Sequence, residues 1–192
     1  MSSAPALPII AFESSEAWET WLAENHTQPT GIWMRISKKG TNVPSVTYAE
    51  ALDVALCYGW IDGQKKIFDD QSWLQKFTPR RARSGWSKVN TQHVDRLTRE
   101  GRMKPAGLVQ MESAKRDGRW ENAYPPQSAA EPPEDFIKEL NKNEKAKAFF
   151  RTLTQRNIFP IVYRLQSAKR PETRRRRMEE IIAMFERGEK FY

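Results

Sequence analysis

Apolar residues along the chain recur at two different spacings, and the change between them divides it. Ile32, Met34 and Ile36 alternate with Trp33, Arg35 and Ser37 after Gly31, the period of a half-buried strand. Strand-like WIDGQKKIF follows Gly59, Asp69-Asp70 makes a turn, and SWLQKFT reads as the returning strand. A short strand is expected near Pro8–Phe12, behind a loose tail. Between these segments the spacing lengthens to three and four. Trp18, Trp21 and Leu22 share one face of a helix that follows Ser14. Thr47 and Glu50 form a capping box that starts a second helix, with Leu52, Ala55 and Leu56 on its apolar face and Gly59 as its stop. Helices are predicted near Ser87 to Glu100 and from Pro105 to before Gly118.

Residues 1–122 therefore predict an α+β domain with a small, mainly antiparallel sheet and packed helices. The stretch AYPPQSAAEPPED (123–135) is rich in Pro, Ser and Ala and reads as a linker. From 136 to 192 only helical spacing remains. Phe136, Ile137 and Leu140 begin it, Phe149, Phe150 and Leu153 continue it, and Ile161, Val162 and Leu165 follow. Pro171 opens a last helix with Met178, Ile181, Ile182 and Phe185 inward. The prediction is a C-terminal helical subdomain of three or four helices.

Composition adds a sharp local bias. The 192 residues carry a formal net charge of +8. The segment from Lys76 to Lys104 holds nine Lys or Arg against Asp95 and Glu100, a net of +7. Its first half, Lys76 to Lys88, has five bases and no acid, with Phe77, Pro79 and Trp86 among them. Such a patch favours an anionic partner. Basic side chains interleaved with aromatics suit phosphates attached to flat groups.

Arg80, Arg81 and Arg83 offer planar forks matched to phosphate or carboxylate. Lys88 adds charge, and Ser84, Ser87 and Asn90 are candidate donors beside the first turn of the following helix. Trp86 is a candidate stacking face. The partner expected is an anionic small molecule or phosphate-containing ligand, with nucleic acid as an alternative. Direct binding of a cationic peptide is disfavoured by the net charge. The first 75 residues do hold nine acids against five bases, but these form no distinct cluster.

Catalytic signals are sparse. Asp62, with Trp60 in Gly59-Trp60-Ile61-Asp62-Gly63, falls where a helix gives way to a strand, a place that often opens to a cleft. It is a candidate base or a carboxylate that pairs with an arginine such as Arg80 or Arg83. His93 lies on a helix near the basic loop and is the second candidate base. An enzyme acting on a phosphorylated or acyl small molecule is therefore a further alternative. The two histidines and single Cys57 have no metal-ligand spacing, and no phosphate-cradling or dinucleotide motif occurs, so no metal or cofactor is expected. One cysteine allows no internal disulfide, which fits a reducing compartment. The N-terminus lacks a signal-peptide pattern, and no apolar run reaches the ~20 residues of a membrane span. A soluble, cytoplasmic protein is the expectation.

Several motifs fall in a recognisable order: EAWETWLAENH, GIWMRISKKG, TYAEALDVALCYGWIDGQ, FTPRRARSGWSKVN, EGRMKPAG, AKRDGRW and the C-terminal SAKRPETRRRRMEEIIAMFERGEK. Together they resemble the YdeI/OmpD-associated (OmdA) family of mostly bacterial proteins, from about Phe12 to about Lys190. The resemblance implies a bacteriocin-protection or stress-tolerance role and no catalytic set. It marks Gly59 to Gly63, Pro79-Arg80-Arg81 with Ser84 and Trp86, Asn90, and Thr173-Arg174 as characteristic. Arg174 is thus the candidate contributor from the helical part. Its neighbours Arg175 to Arg177 span a helical turn and cannot all face one ligand.

Overall fold

A computed structural model describes residues 6–191; the start of the expected N-terminal tail, residues 1–5, lies outside them. The chain divides into two compact units. One runs through Trp86 and includes Asn90–Asn122; the other combines Ser87–Val89 with Ala123–Tyr192.

The first unit is α+β. Its strands are β1 (Ile9–Ala11), β2 (Ile32–Ser37), β3 (Trp60–Ile67) and β4 (Ser72–Pro79), in spatial order β1-β2-β4-β3. The β2–β4 and β3–β4 pairs are antiparallel, and β1 joins β2 in parallel, so the sheet is mixed. The helices are α1 (Ser15–Asn25), α2 (Tyr48–Cys57), α3 (Lys88–Arg99) and α4 (Pro105–Arg116). Ser14 caps α1 through its hydroxyl, and the Thr47/Glu50 box caps α2 as the sequence predicts.

Side-chain alternation assigns the two faces of the sheet. Ile32, Met34 and Phe77 are buried on one face, where Trp18 of α1 lies 5.7 Å from the Phe77 ring. Trp18 also donates its indole N–H to the Ala51 carbonyl of α2, 3.1 Å away. One indole thereby fixes both helices on one side of the sheet while its own buried donor is satisfied. Trp33, Arg35, Lys66 and Lys76 occupy the opposite face by register.

Two glycines set how the elements approach. Gly59 ends α2 with φ +74°, a left-handed conformation that side-chain-bearing residues adopt at a cost. Gly107 in α4 lies so near the C-terminus of α2 that a Cβ there would overlap the Cys57 carbonyl oxygen. The backbones touch, and only glycine permits it.

The second unit contains a short 3-10 turn (Gln127–Ala129) and α5 (Glu134–Leu140), α6 (Glu144–Phe150), α7 (Gln155–Gln166) and α8 (Pro171–Glu186). Phe136, Leu140, Ala146, Ile161, Leu165, Ile181 and Phe185 form its core. Residues 123–135 differ from a free linker. They group with this unit, Ala123 and Ala130 are buried, and Tyr124 meets Tyr163 edge-on at 5.1 Å. Lys88 N–H donates to the Tyr124 carbonyl, which groups residues 87–89 with the helices.

Candidate functional site

Beyond Pro79 the chain leaves the sheet as a loop built around an inward-turned cation. The Arg80 N–H donates to the Gly59 carbonyl at 3.0 Å, fixing the loop to the α2–β3 junction. Arg80 is only 6% exposed; its guanidinium carbon lies 3.4 Å from the Trp86 ring centroid, and Nη1 donates to the Gly85 carbonyl at 3.1 Å. A guanidinium over an indole recovers about 2 kcal/mol when both are desolvated. Trp86 is itself 2% exposed and packs against Trp120 at 4.9 Å. Both side chains were expected at the ligand. Arg80 is the internal fastener of the loop rather than a free charge, and the Trp86 face expected to receive a flat ligand already carries a guanidinium.

Ser84 closes the turn between them. The Arg81 N–H donates to Ser84 Oγ at 3.1 Å, and the Ser84 N–H donates to the Arg81 carbonyl at 2.9 Å. Arg119, just beyond α4, straps the turn from outside. Its Nη1 donates to the Ser84 carbonyl at 2.9 Å while Nε binds Asp117 at 2.8 Å. What this leaves exposed is Arg81, Ala82 and Arg83. Neither Arg81 nor Arg83 makes a salt bridge among the described residues. Among the described residues the pinned turn therefore presents two guanidiniums without salt bridges, separated by Ala82.

The other candidates lie elsewhere. Asp62 accepts from the Tyr48 hydroxyl at 2.8 Å, so its recorded partner is a phenol on α2, where the sequence suggested Arg80 or Arg83. Burial, then the Asp62 charge, push the Tyr48 phenol above its ordinary pKa, so it stays a donor. Trp60 is fully buried, donates Nε1 to the His26 carbonyl at 2.9 Å and meets Trp21 edge-on at 5.8 Å. It belongs to the core. Asn90 is buried in the first turns of α3. Lys88 is exposed and belongs to the second unit. So does Arg174, whose Nε and Nη2 grip the Asp135 carboxylate at 2.7 and 2.8 Å and whose Nη1 donates to the Leu165 carbonyl at 2.6 Å. Arg174 thereby ties α8 to α5 and α7.

His93 has a partner the sequence reading did not find. Its Nδ1 lies 2.8 Å from Asp53 Oδ1, across from α3 to α2, and Arg96 Nη2 reaches Asp53 Oδ2 at 2.5 Å. A carboxylate only accepts, so Nδ1 carries the proton and Nε2 holds the lone pair when the ring is neutral. Burial would raise the Asp53 carboxyl, but the bonds from His93 and Arg96 outweigh it and hold it below its usual value. The available signal was the three-residue spacing of His93 and Arg96 on one helix face; the partner 40 residues earlier left none. Burial pushes the Cys57 thiol up to about 11, so it stays protonated near neutral pH.

The second unit has a cleft of about 520 Å³ lined by Glu139, Glu172, Glu179 and Arg175, with Met178 and Ile182 among its apolar walls. Arg175 sits 3.9 Å from Glu179, so this rim is mixed rather than an acidic cluster. Among the described residues no helix is long and apolar enough to cross a membrane, and no group of three or more His, Cys, Asp or Glu could hold a metal ion.

Fold and loop define an α+β domain with an internally fastened basic turn, joined to a compact helical unit. Family models match both parts. A domain of unknown function (DUF8412) matches residues 10–110, more than half of the chain, and the chain belongs to that family. The model described as bacteriocin-protection, YdeI or OmpD-associated (OmdA) matches residues 129–188, within the helical unit, and suggests a bacteriocin-protection or YdeI-type protein. Comparison with curated proteins and with solved structures gives no match.

Proposed function

We propose that this is a cytoplasmic stress protein of the bacteriocin-protection type that works by binding an anionic ligand on the turn at residues 81–84. One observation carries the reading. Arg81 and Arg83 are exposed without a salt bridge among the described residues, on a turn held by Ser84, Arg119 and the Arg80–Trp86 stack. A pre-set turn lowers the ordering cost of binding, and paired guanidiniums suit the oxygens of a phosphate or carboxylate. Thermal stabilisation against nucleotides, phosphorylated metabolites and dicarboxylates tests it. A ligand-specific rise in melting temperature, lost in Arg81→Ala/Arg83→Ala, supports the reading. No rise with any anion at low salt removes it.

A second reading rests on the Asp53–His93 pair. An aspartate that holds the Nδ1 proton leaves Nε2 as a base, the arrangement a hydrolase of phosphate or acyl esters requires. Arg96 shares the same carboxylate, which weakens the pair's specialisation for catalysis and favours its role as a brace between α2 and α3. Chromogenic phosphate and acyl esters separate these readings. Hydrolysis lost in His93→Gln at an unchanged melting temperature supports an enzyme; equal background rates in both proteins leave only the brace.

A further inference from the structure

The sheet face opposite Trp18 has a chemistry of its own. The central pairings place Trp33 beside Lys76, Arg35 beside Leu74 and Lys66 on the other side of Leu74. Arg35 and Lys66 are exposed, and Trp33 and Lys76 are half-buried. Lys66 Nζ lies 4.4 Å from the Trp33 ring centroid and Lys76 Nζ 6.0 Å, while Arg35 lies 6.0 Å from the exposed Phe68 ring at the end of β3. Three cations thus rest over two aromatic rings on one surface.

No strand carboxylate opposes them on that face: the four strands contain a single acid, Asp62, and its register partner is Phe77, on the Trp18 side. Asp69, at the hairpin tip, is held in its turn, with Oδ1 accepting from the Gln71 and Ser72 N–H groups and the Ser72 hydroxyl, and its charge reaches only Arg35 of the three cations. A surface of this kind would repel a cationic partner. For a purely apolar partner, three cations would have to be stripped of water without compensation.

We infer that this face binds a short segment of single-stranded nucleic acid. Phosphates draw Lys66, Lys76 and Arg35 off the rings they cover, and the uncovered Trp33 and Phe68 faces receive bases. Stacking platforms set among backbone-tracking cations are what single strands require. An open sheet suits unpaired bases, because the bases of a duplex remain stacked inside it. The site is separate from the turn at Arg81 and Arg83, so either can be right without the other.

The test is fluorescence anisotropy with a labelled oligonucleotide of about 12 nucleotides, as poly-dT and as poly-U, with the intact protein. Saturable binding is expected, falling as salt rises with a slope of about −2 in log–log form for three phosphate contacts. Lys66→Gln/Lys76→Gln should weaken it by about tenfold or more. Trp33→Leu, which keeps an apolar residue on the strand, should weaken the oligonucleotide by about tenfold and leave heparin, an anion without bases, unaffected. Melting curves confirm that each variant is folded. Three results overturn the inference: no binding at low salt, tighter binding of a duplex of the same length, or full binding in both sheet variants. If Arg81→Ala/Arg83→Ala alone abolishes binding, the nucleic acid belongs to the turn, and the sheet-face assignment fails while the proposed anion site stands.

Discussion

Two halves of one basic segment meet opposite fates. In the C-terminal half, Arg96 and Arg102 share Asp53 and Glu100, and Lys104 pairs with Glu19 at 2.8 Å. In the N-terminal half, Arg80 is turned inward and stacked on Trp86, while Arg81 and Arg83 face solvent. The C-terminal half carries two acids of its own, Asp95 and Glu100, where the N-terminal half has none, and the fold adds Asp53 and Glu19 opposite it. Charge that is matched locally braces α3 against α2. Unmatched charge, held on a fixed turn, is what a ligand can use. Net charge along a sequence therefore overstates the available positive surface: in the second half Arg96, Arg102 and Lys104 are all matched by carboxylates.

The contrast can be broken most forcefully at Trp86. Trp86→Ala removes the ring beneath a buried guanidinium and opens a cavity, so a loss of about 4 kcal/mol in urea unfolding is expected. Trp86→Phe should cost about 1 kcal/mol, because a ring remains and Trp86 Nε1 has no hydrogen-bond partner among the described residues to lose. Equal losses in the two variants would mean that volume, not stacking, holds the loop.

Asp53→Asn comes next, at about 2 kcal/mol, since the carboxylate is mostly buried while Arg96 and His93 retain solvent. Its pH dependence has a defined sign. The folded carboxyl titrates below the unfolded value of about 3.9, so its contribution is complete above that pH and lost as pH falls through the lower folded value. The stability gap between the parent and Asp53→Asn should thus persist near neutrality and close on strong acidification. A gap that widens in acid would assign the effect to another group.

Smallest in stability are Arg81→Ala and Arg83→Ala, each within about 0.5 kcal/mol, as befits exposed side chains without salt bridges among the described residues. If either costs as much as Asp53→Asn, the turn has a structural cation and the distinction between the two halves fails.

Much of this architecture was legible because it is local. Alternation at Ile32, Met34 and Ile36, the Thr47/Glu50 box and Pro105 at the head of α4 each act over a few residues, and each appears where the sequence placed it. The parallel pairing of β1 with β2 was not legible, because three short residues carry no mark of direction. The site was legible as a segment but not as individual roles. Arg80, Arg81 and Arg83 are alike in one dimension; only the return of Trp86 beneath Arg80 separates the fastener from the exposed pair. Asp53 and His93 stand 40 residues apart, and nothing local joins them.

The glycine contact between α4 and α2 has a mechanical consequence. Near one end of α4, Gly107 lies against the Cys57 carbonyl; just past the other, Arg119 holds the Ser84 carbonyl of the turn. The helix between is a strut about 18 Å long. A methyl group at residue 107 would lift the near end of that strut, and the displacement would be delivered to the turn at the far end without altering a residue there. The geometry of the guanidinium pair is in this sense set by a backbone contact a helix-length away, and a variant such as Gly107→Ala would detune it from a distance.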